Sequence, residues 1–529
     1  MLIMDTSTIL LKNGTLLLHA GPDDRVEPTK ADLLIVGNKI ARIDLSIPES
    51  DAQEVIDCAD KIVSPGFIDG HQHVWQTQLK GRHADHSFVE YMPRGKSGRL
   101  YNQANSLTVI AGNLQSANYT REDMFWGQLG GCLELLDAGT TMVVDHAHMN
   151  TTPESSATAI SATVTSGIRS IFCYTPINAV AYWNPLTFDN RGMLAPWVIQ
   201  TFSSLASRAP FGPNGRVALG LAFDGWFLPA EAASPLFAEA TKHGVQFLTG
   251  HMTRGVTGHP FSLPALLVER GLLGEKPEDG GEYAPFKTVL LSHATGATSE
   301  DLAVAKQHGA HVASTPGTEL QMGLGWSICF DEEARDIACL GGDCLANGGS
   351  SIIGEMRLGL QAERARRNQR ILDRGLAPSK LHSTVEEAFN LGTIKGARAA
   401  GMADKLGSLA VGKLADLVLF EGNSPSMVCA AQHDPVAAIV LHSNPRDIST
   451  VIVDGLVRKR HGQLVDMEVD EDSKQVIGKD TVRWKDVARE LLKSRGLIQS
   501  KVEKIDFTEA QQAWMKSWYI DASKIVDHV

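Results

Sequence analysis

His71-Gln72-His73 closes an apolar run, Gly66-Phe67-Ile68-Asp69, that reads as a buried strand. Residues i and i+2 of a strand point to one face, so the two imidazoles share a side and can hold one metal ion. Three later runs also finish in groups that bind metals or carry protons. They end as Leu248-Thr249-Gly250-His251, Leu291-Ser292-His293 and Leu340-Gly341-Gly342-Asp343. An HxH triplet alone weighs little in a chain with 18 histidines, and His146-Ala147-His148 is a second one. Four strand ends bearing imidazole or carboxylate weigh more, provided the fold gathers them at one mouth.

The elements that would gather them alternate. Eight apolar runs are predicted as strands: those beginning at Gly66, Thr141, Arg169, Val217, Val245, Thr288, His311 and Ile337. Helix-like stretches such as Leu129 to Leu136, Leu228 to His243 and Ser299 to His308 precede several of them. Eight strands in about 280 residues match a (β/α)8 barrel, whose usual length is about 250 residues and whose sites form at the C-terminal strand ends. A doubly wound sheet is the competing architecture. Before Pro65 the texture is short strands (Ile9 to Leu11, Thr15 to His19, Leu33 to Val36, Lys39 to Ile43) separated by turns at Asn13-Gly14, Gly21 to Asp24 and Gly37-Asn38. It returns at Ala415 to Phe420, Ala437 to Leu441 and Val451 to Gly455. Neither piece has enough strands to be stable alone, so the two are expected to form one composite β-sandwich. The expected division is thus 1–65 and 402–467 for that domain, 66–401 for the α/β barrel and 468–529 for a helical extension. In the extension, Trp484, Val487, Leu491 and Leu492 stand at helical spacing, and Trp514 and Trp518 repeat it.

Composition excludes several classes. Lys+Arg 49 against Asp+Glu 61 gives a net charge of −12, without the basic face that a nucleic-acid or anionic-membrane binder needs. No window approaches the roughly 20 apolar residues of a membrane span. Seven scattered cysteines without a CxxC pair describe a reduced compartment, and no address precedes Ala20, so a cytoplasmic location is expected. The expected partner is a small-molecule substrate, with a homo-oligomer left open.

Longer motifs then carry a resemblance. Pro65-Gly66-Phe67-Ile68-Asp69-Gly70-His71-Gln72-His73, Thr140 to His146, Ser314-Thr315-Pro316-Gly317-Thr318-Glu319 and Gly407 to Val418 together resemble the amidohydrolase superfamily. The branch they resemble holds cytosine deaminase, guanine deaminase and the triazine hydrolases, and the likeness runs from about Leu10 to Leu464. It implies one divalent ion, Zn(II) before Fe(II), held by His71, His73, His251 and Asp343. His293 would stand beside it, and Asp343 and His293 would be the catalytic pair. Asp224 lies where binuclear relatives carry a bridging lysine, which favours one metal. The implied function is hydrolysis of a small C–N-containing substrate (amide, amidine or heterocycle) by a metal-activated water.

One segment departs from that branch. Its deaminases carry a glutamate shortly after the fifth-strand histidine, whereas His251-Met252-Thr253-Arg254-Gly255 has no carboxylate. A hydroxyl such as Thr253 cannot replace it as an acid/base at neutral pH. A lyase or isomerase using the metal as a Lewis acid is the alternative this motivates. Trp75, Gln78, Lys80, Arg254, Glu319 and Gln321 are candidate substrate contacts, with Glu319 also able to replace the lost acid. Asp145 and His148 are expected to be supporting or structural.

Overall fold

The computed structural model describes residues 7–91, 113–189, 191–255, 259–274, 286–505 and 522–526. Trp514 and Trp518 lie outside the described residues.

The eight expected strands all form, and they are parallel neighbours. In order round the sheet they are Phe67–His73, Thr140–Ala147, Arg169–Tyr174, Val217–Ala222, Phe247–Thr253, Thr288–Thr295, His311–Ser314 and Ala338–Leu340. Their near-continuous apolar composition is what burial on both faces requires. The fifth begins two residues later than its apolar run and continues through His251 to Thr253. The eighth strand is split. Ala338–Leu340 pairs with the seventh strand, and after Gly341-Gly342 the piece Asp343–Cys344 pairs with Gln72 and His73 of the first. That second pairing closes the ring as a TIM-type barrel and sets Asp343 against the HxH triplet. A Cβ at Gly341 would stand 2.8 Å from both the backbone nitrogen and the backbone oxygen of His71, so only glycine permits this approach.

Strands from both chain ends join in one nine-stranded sheet. Lys61–Pro65 is its hinge, running parallel to Thr8–Ala20 and antiparallel to Leu417–Glu421. Leu11, Leu16, Leu33 and Val63 from the first part pack with Leu417, Leu419 and Ile452 from the second. Two local expectations are corrected. Asn13-Gly14 is not a turn between strands but a bulge within Thr8–Ala20. Asn13 takes φ 63° there, and its N–H donates to Asp32 Oδ1 at 2.7 Å. Ala437 to Leu441 is helical rather than β. Asp434 caps the preceding turn by accepting from the Ala437 N–H at 2.9 Å, and Pro435 supplies the first helical φ.

The sheet is fastened to the N-terminal side of the barrel by buried charge. Arg169, the first residue of the third barrel strand, donates two hydrogen bonds to Asp416 (2.8 and 3.0 Å) and one to Asp454 (3.0 Å). All three side chains are at most 6% exposed. Removing one partner strands buried charge, which costs about 3–5 kcal/mol. Arg169→Met is therefore expected to lower the urea midpoint of unfolding clearly; an unchanged midpoint would show that the fastening contributes nothing.

In the tail, Trp484–Val502 is the expected helix, burying Val487, Leu491, Ile498 and Val502 against the helix Arg121–Asp137. Leu492 is exposed. The arginine run 364–370 is a helical face tied to neighbours: Arg366 pairs with Asp331 and Glu363, Arg367 with Glu363, and Arg364 bonds the Ser383 carbonyl. Among the described residues no helix is long and apolar enough to cross a membrane.

Candidate metal centre

The four strand ends do converge. One donor atom each from His71, His251, His293 and Asp343 lies within 4.8 Å of the others. His73 belongs to the same cluster, with its Nε2 3.3 Å from Asp343 Oδ1 and 3.3 Å from His251 Nε2. His71 Nε2 lies 3.1 Å from Asp343 Oδ1. His293 is at one more remove, its Nε2 3.9 Å from Asp343 Oδ1. Both His293 and Asp343 have left-handed backbones, φ 71° and 56°. Non-glycine residues adopt that conformation at a cost, and such strain is concentrated at functional sites.

Hydrogen bonds on the outer nitrogens decide what the inner ones present. His73 Nδ1 lies 2.8 Å from the His146 carbonyl oxygen, which can only accept, so Nδ1 carries the proton and Nε2 the lone pair. His251 Nδ1 lies 3.0 Å from Asp224 Oδ2, while its backbone N–H donates to Asp224 Oδ1 at 2.9 Å. Burial alone would raise the Asp224 carboxyl, but the adjacent His251 and His146 outweigh it and hold it well below the usual carboxylate range. It accepts, therefore. Burial lowers the His251 pKa, but Asp224 outweighs it and holds the ring above the ordinary imidazole value. In the neutral, metal-binding form of that ring the Nε2 lone pair points inward. Two lone pairs facing each other at 3.3 Å beside a carboxylate oxygen repel unless a cation lies among them. Burial pushes His71 well below the ordinary imidazole value and His293 down to about 4, which keeps both rings neutral as metal donors require. The donor set fits a divalent metal, and nitrogen with carboxylate donors suits Zn(II) or Fe(II).

Supporting side chains hold the rings. Ser292 Oγ is 2.8 Å from His71 Nδ1, and Thr315 Oγ1 is 2.8 Å from His293 Nδ1. Buried Asp69 accepts the backbone N–H groups of His71 and Gly342, both at 3.1 Å, tying the first strand to the broken eighth. Sequence reasoning did not single out Ser292, Thr315 or Asp69. It noted Asp224 as the residue standing where relatives carry lysine, but not that it orients His251.

The candidate substrate contacts divide. Trp75 is buried beside the cluster, its Nε1–H donating to His148 Nδ1 at 3.1 Å. Glu319 is fully buried behind His293, its Oε1 3.9 Å from His293 Nδ1 and accepting the Thr315 backbone N–H at 2.9 Å. Burial pushes its carboxyl up to about 7. Gln78 donates its amide to Asp123 O (2.8 Å) and Ser494 Oγ (3.0 Å) where the tail helix packs. Lys80 is ion-paired with Glu134. Arg254 is paired with buried Asp301 at 2.6 Å, and Gln321 is exposed and directed at the Ala84 carbonyl. Asp145 is buried and accepts from Gln128 at 2.6 Å, a supporting role.

The chain is similar to known proteins over nearly its whole length. A 5'-deoxyadenosine deaminase of Methanobrevibacter smithii is 27% identical over 489 residues, covering 88% of this chain and 96% of the relative. A 5-methylthioadenosine/S-adenosylhomocysteine deaminase of Thermococcus onnurineus is 24% identical, covering 85% and 93%. Among solved structures, a triazine hydrolase variant superposes with a TM-score of 0.71 at 19% identity, covering 92% of this chain and 99% of that one. Atrazine chlorohydrolase from Arthrobacter aurescens, complexed with zinc, gives 0.67 at 21% identity, covering 93% and 100%. The family's sequence profile matches residues 62–458, from the last strand before the barrel to the far side of the composite sheet. This chain belongs to the amidohydrolase family.

Proposed function

We propose that the chain is a metal-dependent hydrolase that adds water to an sp2 carbon of a small C–N-containing substrate, a heterocyclic amine before an amide or amidine. The observation that carries the reading is the convergence of imidazole nitrogens on Asp343 at the mouth of the barrel. His71, His73, His251 and Asp343 would hold one divalent ion, Zn(II) before Fe(II). A divalent ion supplies Lewis acidity there, which lowers the pKa of water from 15.7 to about 7.

The chain's own residues do the rest. The Asp343 carboxylate takes the proton of the attacking water and returns it to the leaving group. His293, held by Thr315, stands beside the metal-facing rings, its centroid 5.1 Å from that of His71 and 5.5 Å from that of His251. It is placed to bond the attacking oxygen and the charge that develops as the carbon becomes tetrahedral. Glu319 reaches the reacting groups only through Thr315 and His293, so its part is to hold His293 rather than to meet the substrate. Exclusion of bulk water by the buried cluster strengthens each of these interactions. The family match and the deaminase relatives support hydrolysis over the lyase or isomerase alternative. The location proposed is the cytoplasm, a reducing compartment that suits its seven free cysteines.

The reading is tested on zinc-loaded protein with 5'-deoxyadenosine, 5-methylthioadenosine, atrazine and a panel of amides. Ammonia or chloride release is followed in water enriched in 18O. The expected result is turnover of at least one compound, with one labelled oxygen in its product. A product formed without label would refute hydrolysis and restore the lyase or isomerase alternative.

A further inference from the structure

Beside the metal cluster lies a hydrogen-bond donor with no partner among the described residues. His148 sits directly after the second barrel strand, 4% exposed, with its ring stacked on that of His73 at 3.9 Å between centroids and 27° between planes. The Trp75 indole donates to its Nδ1 at 3.1 Å. An indole N–H can only donate, so Nδ1 must carry a lone pair, and in a neutral ring the single proton then sits on Nε2. That Nε2 is buried and has no hydrogen-bond partner among the described residues. Buried polar atoms in native structures are nearly always paired, and an exception calls for a cause. Trp75 is itself fixed, buried and edge-on to Tyr119 at 5.0 Å, so the arrangement is held from outside as well.

We propose that His148 is a substrate-contacting residue, a neutral imidazole whose Nε2–H, oriented by Trp75, binds an acceptor atom of the substrate close to the carbon under attack. The inference rests on the hydrolase reading and narrows it. The substrate carries an unprotonated ring nitrogen or a carbonyl oxygen at that edge, and an analogue presenting N–H there is rejected, because two donors would face each other. A neutral donor also does part of what the absent glutamate would do. It withdraws electron density from the ring as the carbon is attacked, without transferring its proton.

Two readouts on the zinc-loaded enzyme test this. The first is 15N NMR of labelled histidines, with the His148 signals assigned by their loss in His148→Phe. The wild type is expected to show His148 as a single Nε2–H tautomer, and Trp75→Phe to show a mixture. A wild-type Nδ1–H tautomer would overturn the proposal. The second is kcat/KM on whichever screened compound turns over fastest. His148→Phe keeps the stack on His73 and loses the donor, so it should fall about 10²-fold with metal content unchanged, while His148→Gln, which retains an N–H, recovers part of the loss. Wild-type rates in His148→Phe, or losses that merely follow lost metal, would contradict the contact. Absence of any turnover by the wild type would instead overturn the hydrolase reading on which it rests.

Discussion

His251→Ala is expected to leave the protein folded but nearly free of metal, with activity reduced to background. His251 contributes one inward lone pair and faces His73 Nε2 at 3.3 Å, so its loss opens the centre of the donor cluster. It also removes one of the two imidazoles hydrogen-bonded to half-buried Asp224, leaving that carboxylate with His146 at 3.0 Å. The variant should consequently be less stable as well as metal-poor, and circular dichroism separates the two effects. His71→Ala should behave alike in metal content without disturbing Asp224, since the outer partner of His71 is the neutral hydroxyl of Ser292. Metal measured by plasma mass spectrometry at wild-type occupancy in both variants would show that the site lies elsewhere.

His293→Asn should separate chemistry from metal binding. Its Nε2 is 3.9 Å from Asp343 Oδ1, farther out than those of His71 and His73, and its Nδ1 is committed to Thr315. Loss of a positioned acid/base or oxyanion donor typically costs 10²–10⁴-fold in rate. The expected variant keeps its metal, binds substrate with little change in KM and loses at least about 10²-fold in kcat. Near-normal kcat with metal in place would move the role to Glu319 or His148, and loss of metal would make His293 a ligand.

The parts of this architecture that were legible in the sequence are those with local causes. Parallel barrel strands are buried on both faces, so each prints a continuous apolar run, and the functional side chains follow at its end. His71, His73, His251, His293 and Asp343, which the barrel brings together, could therefore be named without a structure. Short apolar runs bounded by turn residues are ambiguous between strand and helix. That is why Ala437 to Leu441 read as β, although Asp434 and Pro435 start a helical turn there. Asn13-Gly14 read as a turn between strands because a left-handed residue serves a turn and a bulge equally well. The supporting groups were hidden for a different reason. Ser292 meets His71 across 221 residues, and Trp75 meets His148 across 73. No spacing rule marks a partner that only barrel closure brings near. Gln78 shows the converse: its place just after the HxH triplet suggested the mouth, but the tail helix, 416 residues on at Ser494, claims its amide.

The central claim is that one metal, held by His71, His73, His251 and Asp343, is required for hydrolysis. It is tested most directly by stripping the purified enzyme with a chelator and restoring activity on the best compound of the screen with measured equivalents of Zn(II). The account predicts activity lost on stripping and regained linearly, saturating at about one equivalent per chain, as three nitrogens and one carboxylate around a single ion require. Activity that survives complete removal of metal, or that needs two equivalents to return, would contradict it.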